Sequence, residues 1–258
     1  MHFSDEAVRE AALAVRSNTR FESPFEHDFF DRVFDTPHSI YRTRLQCLGM
    51  ADKECVLDAG CGFGQWSIAL AESNKHTVSL EISPFRCNVI RQLSHTLGIA
   101  TISALTGDMN STPFPDGKFD AVYSYSSIYF GDWRLKAREL VRVLRPGGSL
   151  YINTNAIGWY LSNLVRRHND SDNFSSRSMA LDTIANSITT QSSKRLSSSR
   201  QSIIQPGSLC ATLEEAGAIV LQIAPDGRAG NPTPDQPHQF FAPRRFGLTS
   251  VYEVLATK

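Results

Sequence analysis

The chain has 258 residues, 41% of them hydrophobic, and its 26 lysines and arginines are matched by 26 aspartates and glutamates. That size and apolar content suit one large α/β domain with an appended or inserted cap better than two independent domains. The balanced charge gives no global field for nucleic acid or an anionic membrane, and no apolar run approaches the ~18 residues of a membrane span.

Five cysteines, Cys47, Cys55, Cys61, Cys87 and Cys210, show no CxxC or Cys/His ligand spacing. Neither a metal site nor a disulfide framework is expected, and a reducing cytoplasm fits best. The opening MHFSDEAVREAALAVRSNTRF carries acids where an export signal needs a basic start and an apolar stretch, which points the same way.

In chain order, residues 5–16 place Ala7, Val8, Ala11, Ala12 and Val15 at helical spacing behind a Ser4 cap, predicting an amphipathic helix. The stretch FESPFEHDFFDRVFDTPHSIY mixes phenylalanines with acids and two histidines. It reads as a partly helical segment that packs on the domain or works as a substrate lid, so residues 1–45 form an N-terminal helical segment.

From Glu54 a regular alternation begins: the strand CVLDAG, a glycine turn, a helix over about 65–73, the strand HTVSLEI and a helix starting near Pro84. A strand near 101–106, the strand KFDAVYSYS, a helix over about 132–144 and, after the turn RPGG, the strand GSLYINT extend it. Residues 155–205 interrupt the rhythm with serine-rich stretches, but Met179, Leu181, Ile184, Ala185 and Ile188 keep helical spacing, so a partly ordered cap is expected there. A helix across PGSLCATLEEAGA and the strands AIVLQIA and LTSVYEVLAT complete residues 46–258 as one domain. The expected fold class is a doubly wound, mostly parallel seven-stranded sheet with its last strand antiparallel and helices on both faces.

The chemistry is concentrated in VLDAGCGFGQWS, an apolar strand followed by Asp58, then Gly60, Gly62 and Gly64, then a helix start. Glycines there let the backbone turn sharply and approach a ligand, and the helix N-terminus offers free N–H donors. Alone this pattern also serves dinucleotides. Two further acids narrow it. Glu81 ends the next strand, where a carboxylate can accept both hydroxyls of a ribose, and Asp108 in TGDMNSTPFPDG ends the third, where it can accept an adenine amine while Met109 packs on the ring. Asp108 has an equally ordinary reading as a turn cap.

In VLDAGCGFG, SLEIS, GDMNSTPFPDGKFDAVYSYSSIYF and ARELVRVLRPGGSLYI, the chain resembles the class I S-adenosylmethionine-dependent methyltransferases of the small-molecule, Rossmann-like type, over about residues 50–155. The resemblance implies S-adenosylmethionine as cofactor and S-adenosylhomocysteine as product. It places Asp58 and the turn Gly60, Cys61, Gly62 and Gly64, with Trp66, around the methionine part, and Glu81 on the ribose. Ile82, Gly107, Asp108 and Met109 then fall about the adenine, with Ser124 and Tyr125 lining the donor pocket. A carboxylate at Asp58 repels a pyrophosphate and attracts an ammonium and a sulfonium, which argues against a dinucleotide.

The acceptor is less defined. SYSSIYF stands where nucleic-acid amino methyltransferases carry an (N/D)PP(Y/F) box, so a small-molecule acceptor is expected rather than a base. Tyr129, Trp133 and Trp159 are candidate substrate contacts, and Arg244 and Arg245 can clamp an anionic acceptor. Core packing is the ordinary alternative for the aromatics. His238, His168 and Asp132 are candidate catalytic bases, with His27 a further histidine outside the donor core, although Asp132 also reads as a helix cap. The expected reaction is O-methylation of a sugar, glycan or natural-product precursor. N-methylation of a small amine and a non-catalytic binder of the cofactor stand as alternatives, and the oligomeric state is left open.

Overall fold

A computed structural model describes residues 2–167, 169–170, 174–189, 201–231 and 239–258. Three helices come first: α1 (Asp5–Ser17), α2 (Pro24–Asp35) and α3 (His38–Cys47). Ser4 and Ser23 cap the first two by accepting from Ala7 N–H and Glu26 N–H, and Pro24 opens α2, where a missing N–H costs nothing. The alternating unit follows as β1 (Cys55–Ala59), α4 (Gln65–Ala71), β2 (His76–Glu81), α5 (Pro84–Thr96), β3 (Ile102–Thr106), β4 (Phe119–Tyr125), α6 (Trp133–Val143) and β5 (Leu144–Asn155). The remainder is α7 (Ile157–Arg166), α8 (Ser176–Thr189), α9 (Pro206–Glu215), β6 (Ile219–Pro225), β7 (Arg244–Arg245), β8 (Leu248–Thr249) and β9 (Val251–Thr257).

The main sheet has seven strands in the order β3-β2-β1-β4-β5-β9-β6, parallel except for β9, which runs antiparallel to both neighbours. This is the doubly wound, Rossmann-like arrangement expected from the alternation. Val56, Leu57, Asp58 and Ala59 of β1 are all buried, as befits an interior parallel strand covered on both faces. One face packs against α6 and α9 through Leu140, Leu209 and Leu213. The other packs against α3 and α4 through Tyr41, Leu45 and Trp66, and α1, α2 and α5 add a third cluster around Phe30, Phe63 and Val89. Strand order reverses between β1 and β4, so their carboxyl ends open a crevice of the kind in which α/β sheets bind ligands.

Two elements differ from the sequence reading. β5 begins at Leu144, ahead of RPGG: Leu144 pairs with Phe119 and Ser149 with Ala121, so the Pro-Gly-Gly run is a bulge within the pairing rather than a turn before it. In α8 the side chains that face inward are Ala180 and Thr183, while Leu181 and Ile188 are 49% and 71% exposed, so the apolar stripe that predicts the helix is not its buried side.

Candidate functional site

The glycine turn has the backbone its sequence requires. Gly60, Gly62 and Gly64 have φ of +74°, +58° and +86°, a region in which a Cβ is strained, and Gly64 caps α4. Gly60 also lies against β4's exit loop, where an added Cβ would come within 2.5 Å of Ser127 Cβ. The amides of Gly60 and Cys61 both donate to Leu80 O, at 2.8 and 3.2 Å, tying the turn to the end of β2.

Asp58 is buried at the end of β1. Ser67 Oγ, in the first turn of α4, donates to it at 2.6 Å, and Ser79 Oγ of β2 donates to Ser67 at 2.7 Å. Burial pushes the Asp58 carboxyl up to about 7; the Ser67 hydrogen bond opposes this and the nearby Glu81 carboxylate adds to it. Glu81 sits across the turn, also buried, accepting from Gly62 N–H at 3.0 Å and Ser83 N–H at 3.1 Å. Two carboxylates therefore flank one glycine turn at the sheet's switch point. Ile82, next to Glu81, is 53% exposed, an apolar side chain presented to solvent beside the carboxylate. Met109 is buried, with its methyl 2.9 Å from where a Gly60 Cβ would stand, and Gly107 packs on Leu80. Asp108 is exposed, and its Oδ1 accepts from both nitrogens of Asn110, the turn-capping geometry. Ser124 Oγ and Ser127 Oγ are 2.9 Å apart, and Ser127 donates to Ala59 O.

Trp66 and Tyr125 turn their rings toward the aromatic core beside Tyr123. Their rings lie 4.9 Å apart in a buried aromatic cluster with Tyr41, Tyr123 and Phe240, because Trp66 projects from the side of α4 that faces the sheet. Tyr125 Oη instead reaches Asp226 at 3.4 Å.

Of the acceptor candidates, Tyr129 is buried beside Asn155, and burial raises its hydroxyl to about 12. Trp133 is buried in the main core with Arg134 over its ring at 4.3 Å, so its packing leaves no open face for a substrate. Asp132 Oδ1 accepts from Arg134 and Leu135 N–H, the N-cap of α6, and is committed to that role. Trp159 packs edge-on to Phe241 at 5.3 Å, and Arg244 and Arg245 form β7 in the small hairpin against α7. His27 stands on α2, edge-on to Phe21. His168 and His238 lie outside the described residues.

The structure adds residues that the sequence reading passed over. Phe29 of α2 rests 3.3 Å from the Gly62 Cβ position and 5.4 Å from the Phe63 ring. Phe25, 43% exposed, contacts Phe29 on one side and Phe174 on the other, so α2 and the cap segment meet above the glycine turn. The phenylalanine-rich segment was visible in the sequence; which phenylalanines face the turn follows from the helical phase of α2. Farther along the sheet, buried Arg44 pairs with Asp226 and Glu253, while Tyr151 Oη donates to Glu253 at 2.6 Å. Asp226 also takes the amides of Phe240 and Phe241. Nothing in local sequence marks this network, whose members come from five separate stretches.

Glycines that admit no Cβ, two carboxylates suited to a cation and a diol, and an exposed apolar side chain suited to a base fit S-adenosylmethionine chemically. The comparisons agree. Residues 56–148 match the family model described as a methyltransferase domain.

The chain is similar to a malonyl-[acyl-carrier protein] O-methyltransferase of Serratia marcescens, 35% identical over 115 residues, 43% of this chain and 43% of that one. It is also similar to a demethylmenaquinone methyltransferase of Listeria welshimeri, 35% identical over 116 residues, 40% of this chain and 48% of the relative. The matches thus span less than half the length of these curated relatives. Among solved structures, a geranyl diphosphate C-methyltransferase from Streptomyces coelicolor aligns over all of this chain and 89% of its own, with a TM-score of 0.61 at 16% identity, a likeness of fold.

Proposed function

We propose that the protein transfers a methyl group from S-adenosylmethionine to a small-molecule acceptor. The observation that carries this reading is the pair Asp58 and Glu81 about the Gly60–Gly64 turn at the carboxyl ends of β1 and β2. The cofactor, when bound, supplies a methyl already activated by its sulfonium. The protein's work is then to bind, orient and exclude water.

Asp58 would attract the cationic methionine end, and Glu81, its oxygens fixed by Gly62 and Ser83 N–H, would accept from the ribose. Ile82 and Met109 would bound the adenine with Gly107, and Asp108 would turn from Asn110 to the adenine amine. Cys61 and Ser124 would complete the wall. Phe25 and Phe29 of α2, with Phe174, would keep water from the turn.

We further propose O-methylation as the reaction. Of the acceptor classes expected from sequence, the aromatic mouth formed by Phe25, Phe29 and Phe174 favours an apolar natural-product precursor over a sugar. Tyr129, in the exit loop of β4, would be one acceptor contact, and Trp159 with Arg244 and Arg245 would offer a second around α7 for an acceptor that carries an anionic group.

Calorimetric titration with S-adenosylmethionine and, in parallel, NAD tests the donor half. Micromolar binding of the former and none of the latter is expected. Loss of neither Asp58 nor Glu81 to alanine altering that affinity would refute it. Mass spectrometry of mixtures with apolar phenols and with acidic sugars then decides the acceptor: methyl ether formed only on a sugar would overturn the apolar reading, and product only on amines would overturn O-methylation.

A further inference from the structure

Arg86 lies in the first turn of α5, outside every motif that the resemblance carries. Its Nε and Nη2 donate to the two carboxylate oxygens of Glu26 in α2, at 2.9 and 2.6 Å, a bidentate pair. Its Nη1 stands 3.7 Å from Glu81 Oε1. The guanidinium is 5.2 Å from the ring centroid of Phe29 and 5.5 Å from that of Phe63. The side chains of Glu26, Arg86 and Glu81 are 14%, 21% and 5% exposed, so water screens this arrangement little.

The consequences follow from charge and shape. Asp58 and Glu81 put two buried acids about one turn, and among the described residues Arg86 is the cation within 4 Å of either. It offsets their repulsion and draws on Oε1 of Glu81, which Ser83 N–H also holds, while Gly62 N–H holds Oε2. The pairing with Glu26 sets the plane of the guanidinium, and the two phenylalanine rings confine it. Lysine can supply the charge but not the fork that engages Glu26 and Glu81 together.

We propose that Arg86 is a positioning residue for the donor's ribose, acting through Glu81, and that Glu26 makes this positioning depend on the seating of α2. Donor binding and the packing of α2 over the glycine turn are thereby linked: whatever strengthens one strengthens the other by the same factor. The inference rests on the donor reading above.

The test is calorimetric binding of S-adenosylhomocysteine and its 2′-deoxy counterpart to wild type, Arg86→Gln, Arg86→Lys and Glu26→Gln, with hydrogen exchange of residues 24–35 measured with and without ligand. Arg86→Gln is expected to weaken S-adenosylhomocysteine about tenfold, the scale of one charge-assisted contact, while barely changing affinity for the 2′-deoxy ligand. The penalty for removing the hydroxyl shrinks accordingly. Arg86→Lys should recover part of the affinity, and Glu26→Gln should weaken binding while abolishing the ligand's protection of residues 24–35.

Equal losses on both ligands, or unchanged affinity in Arg86→Lys and Glu26→Gln, would overturn the proposal while leaving the donor site standing. Failure of the wild type to bind S-adenosylhomocysteine would instead overturn the donor reading and this inference with it.

Discussion

Replacing Asp58 with asparagine should stabilise the protein and disable it at once. Burial pushes the Asp58 carboxyl up from an ordinary 3.8 to about 7. That difference corresponds to about 4 kcal/mol of preference for the neutral form. Because the folded state holds the proton more tightly than the unfolded chain, stability contributed by this group is complete below about pH 4. It is lost progressively as pH rises to about 7.

Asparagine removes the titration and can still accept the Ser67 hydrogen bond. Above pH 7 the variant should therefore melt higher than wild type, by up to roughly 8 °C for a fold of this size, with the gap closing towards pH 4. Calorimetric scans of both proteins from pH 4.5 to 8 measure it. Donor affinity should show the complement: binding of a cationic ligand requires the ionised carboxylate, so wild-type affinity falls about tenfold per pH unit below 7, and the asparagine variant should bind weakly throughout. Among the described residues, Cys61, Glu81 and Tyr123 act on or beside this carboxyl and supply no cation, and Arg86 faces Glu81. A difference in melting temperature that stays flat across this range would refute the reasoning.

Gly60→Ala should abolish S-adenosylhomocysteine binding in calorimetry and lower the melting temperature, since the new Cβ meets Ser127 at 2.5 Å on a backbone already at φ +74°. Glu72 accepts from Phe3 N–H, His38 and Arg42; burial raises its carboxyl, but these partners outweigh it and bring it down to about 2. Its contribution is present above pH 4.5 and lost as pH falls towards 2, so Glu72→Gln should flatten acid unfolding in that window and free the N-terminal helices to proteolysis. Asp226→Ala removes one of the two buried carboxylates that pair with Arg44, Glu253 remaining, and takes away the acceptor of the Phe240 and Phe241 amides; a loss of about 3–5 kcal/mol in urea unfolding, with protease cleavage near residues 239–247, is expected.

The sheet was legible because parallel strands read as short apolar runs and because Asp58, the three glycines and Glu81 occupy one continuous stretch of chain. What escaped depends on contacts distant in sequence. Phe25 and Phe29 mark α2 as apolar, but only packing shows that they face Gly62, and Glu26 meets Arg86 across sixty residues. Trp66 shows the limit of a motif: its place in QWS beside the glycines suggests a pocket wall, yet α4 turns its ring into the core. The serine-rich region yielded a helix from its apolar spacing, whereas Ala180 and Thr183 became its inner side because small residues allow α7 to approach closely.

The sheet order also bears on biosynthesis. β6 touches the sheet only through β9, a later segment that also covers the edge of β5. On the ribosome, a nascent chain that has passed Pro225 but not Val251 holds a strand with no neighbour and an open β5 edge carrying Tyr151 and Ile152. Such intermediates expose apolar surface and unpaired backbone together, the combination that chaperones bind. Translational arrest or proteolytic trimming within residues 226–250 should therefore yield an aggregating or degraded product rather than a shortened domain with a working donor site.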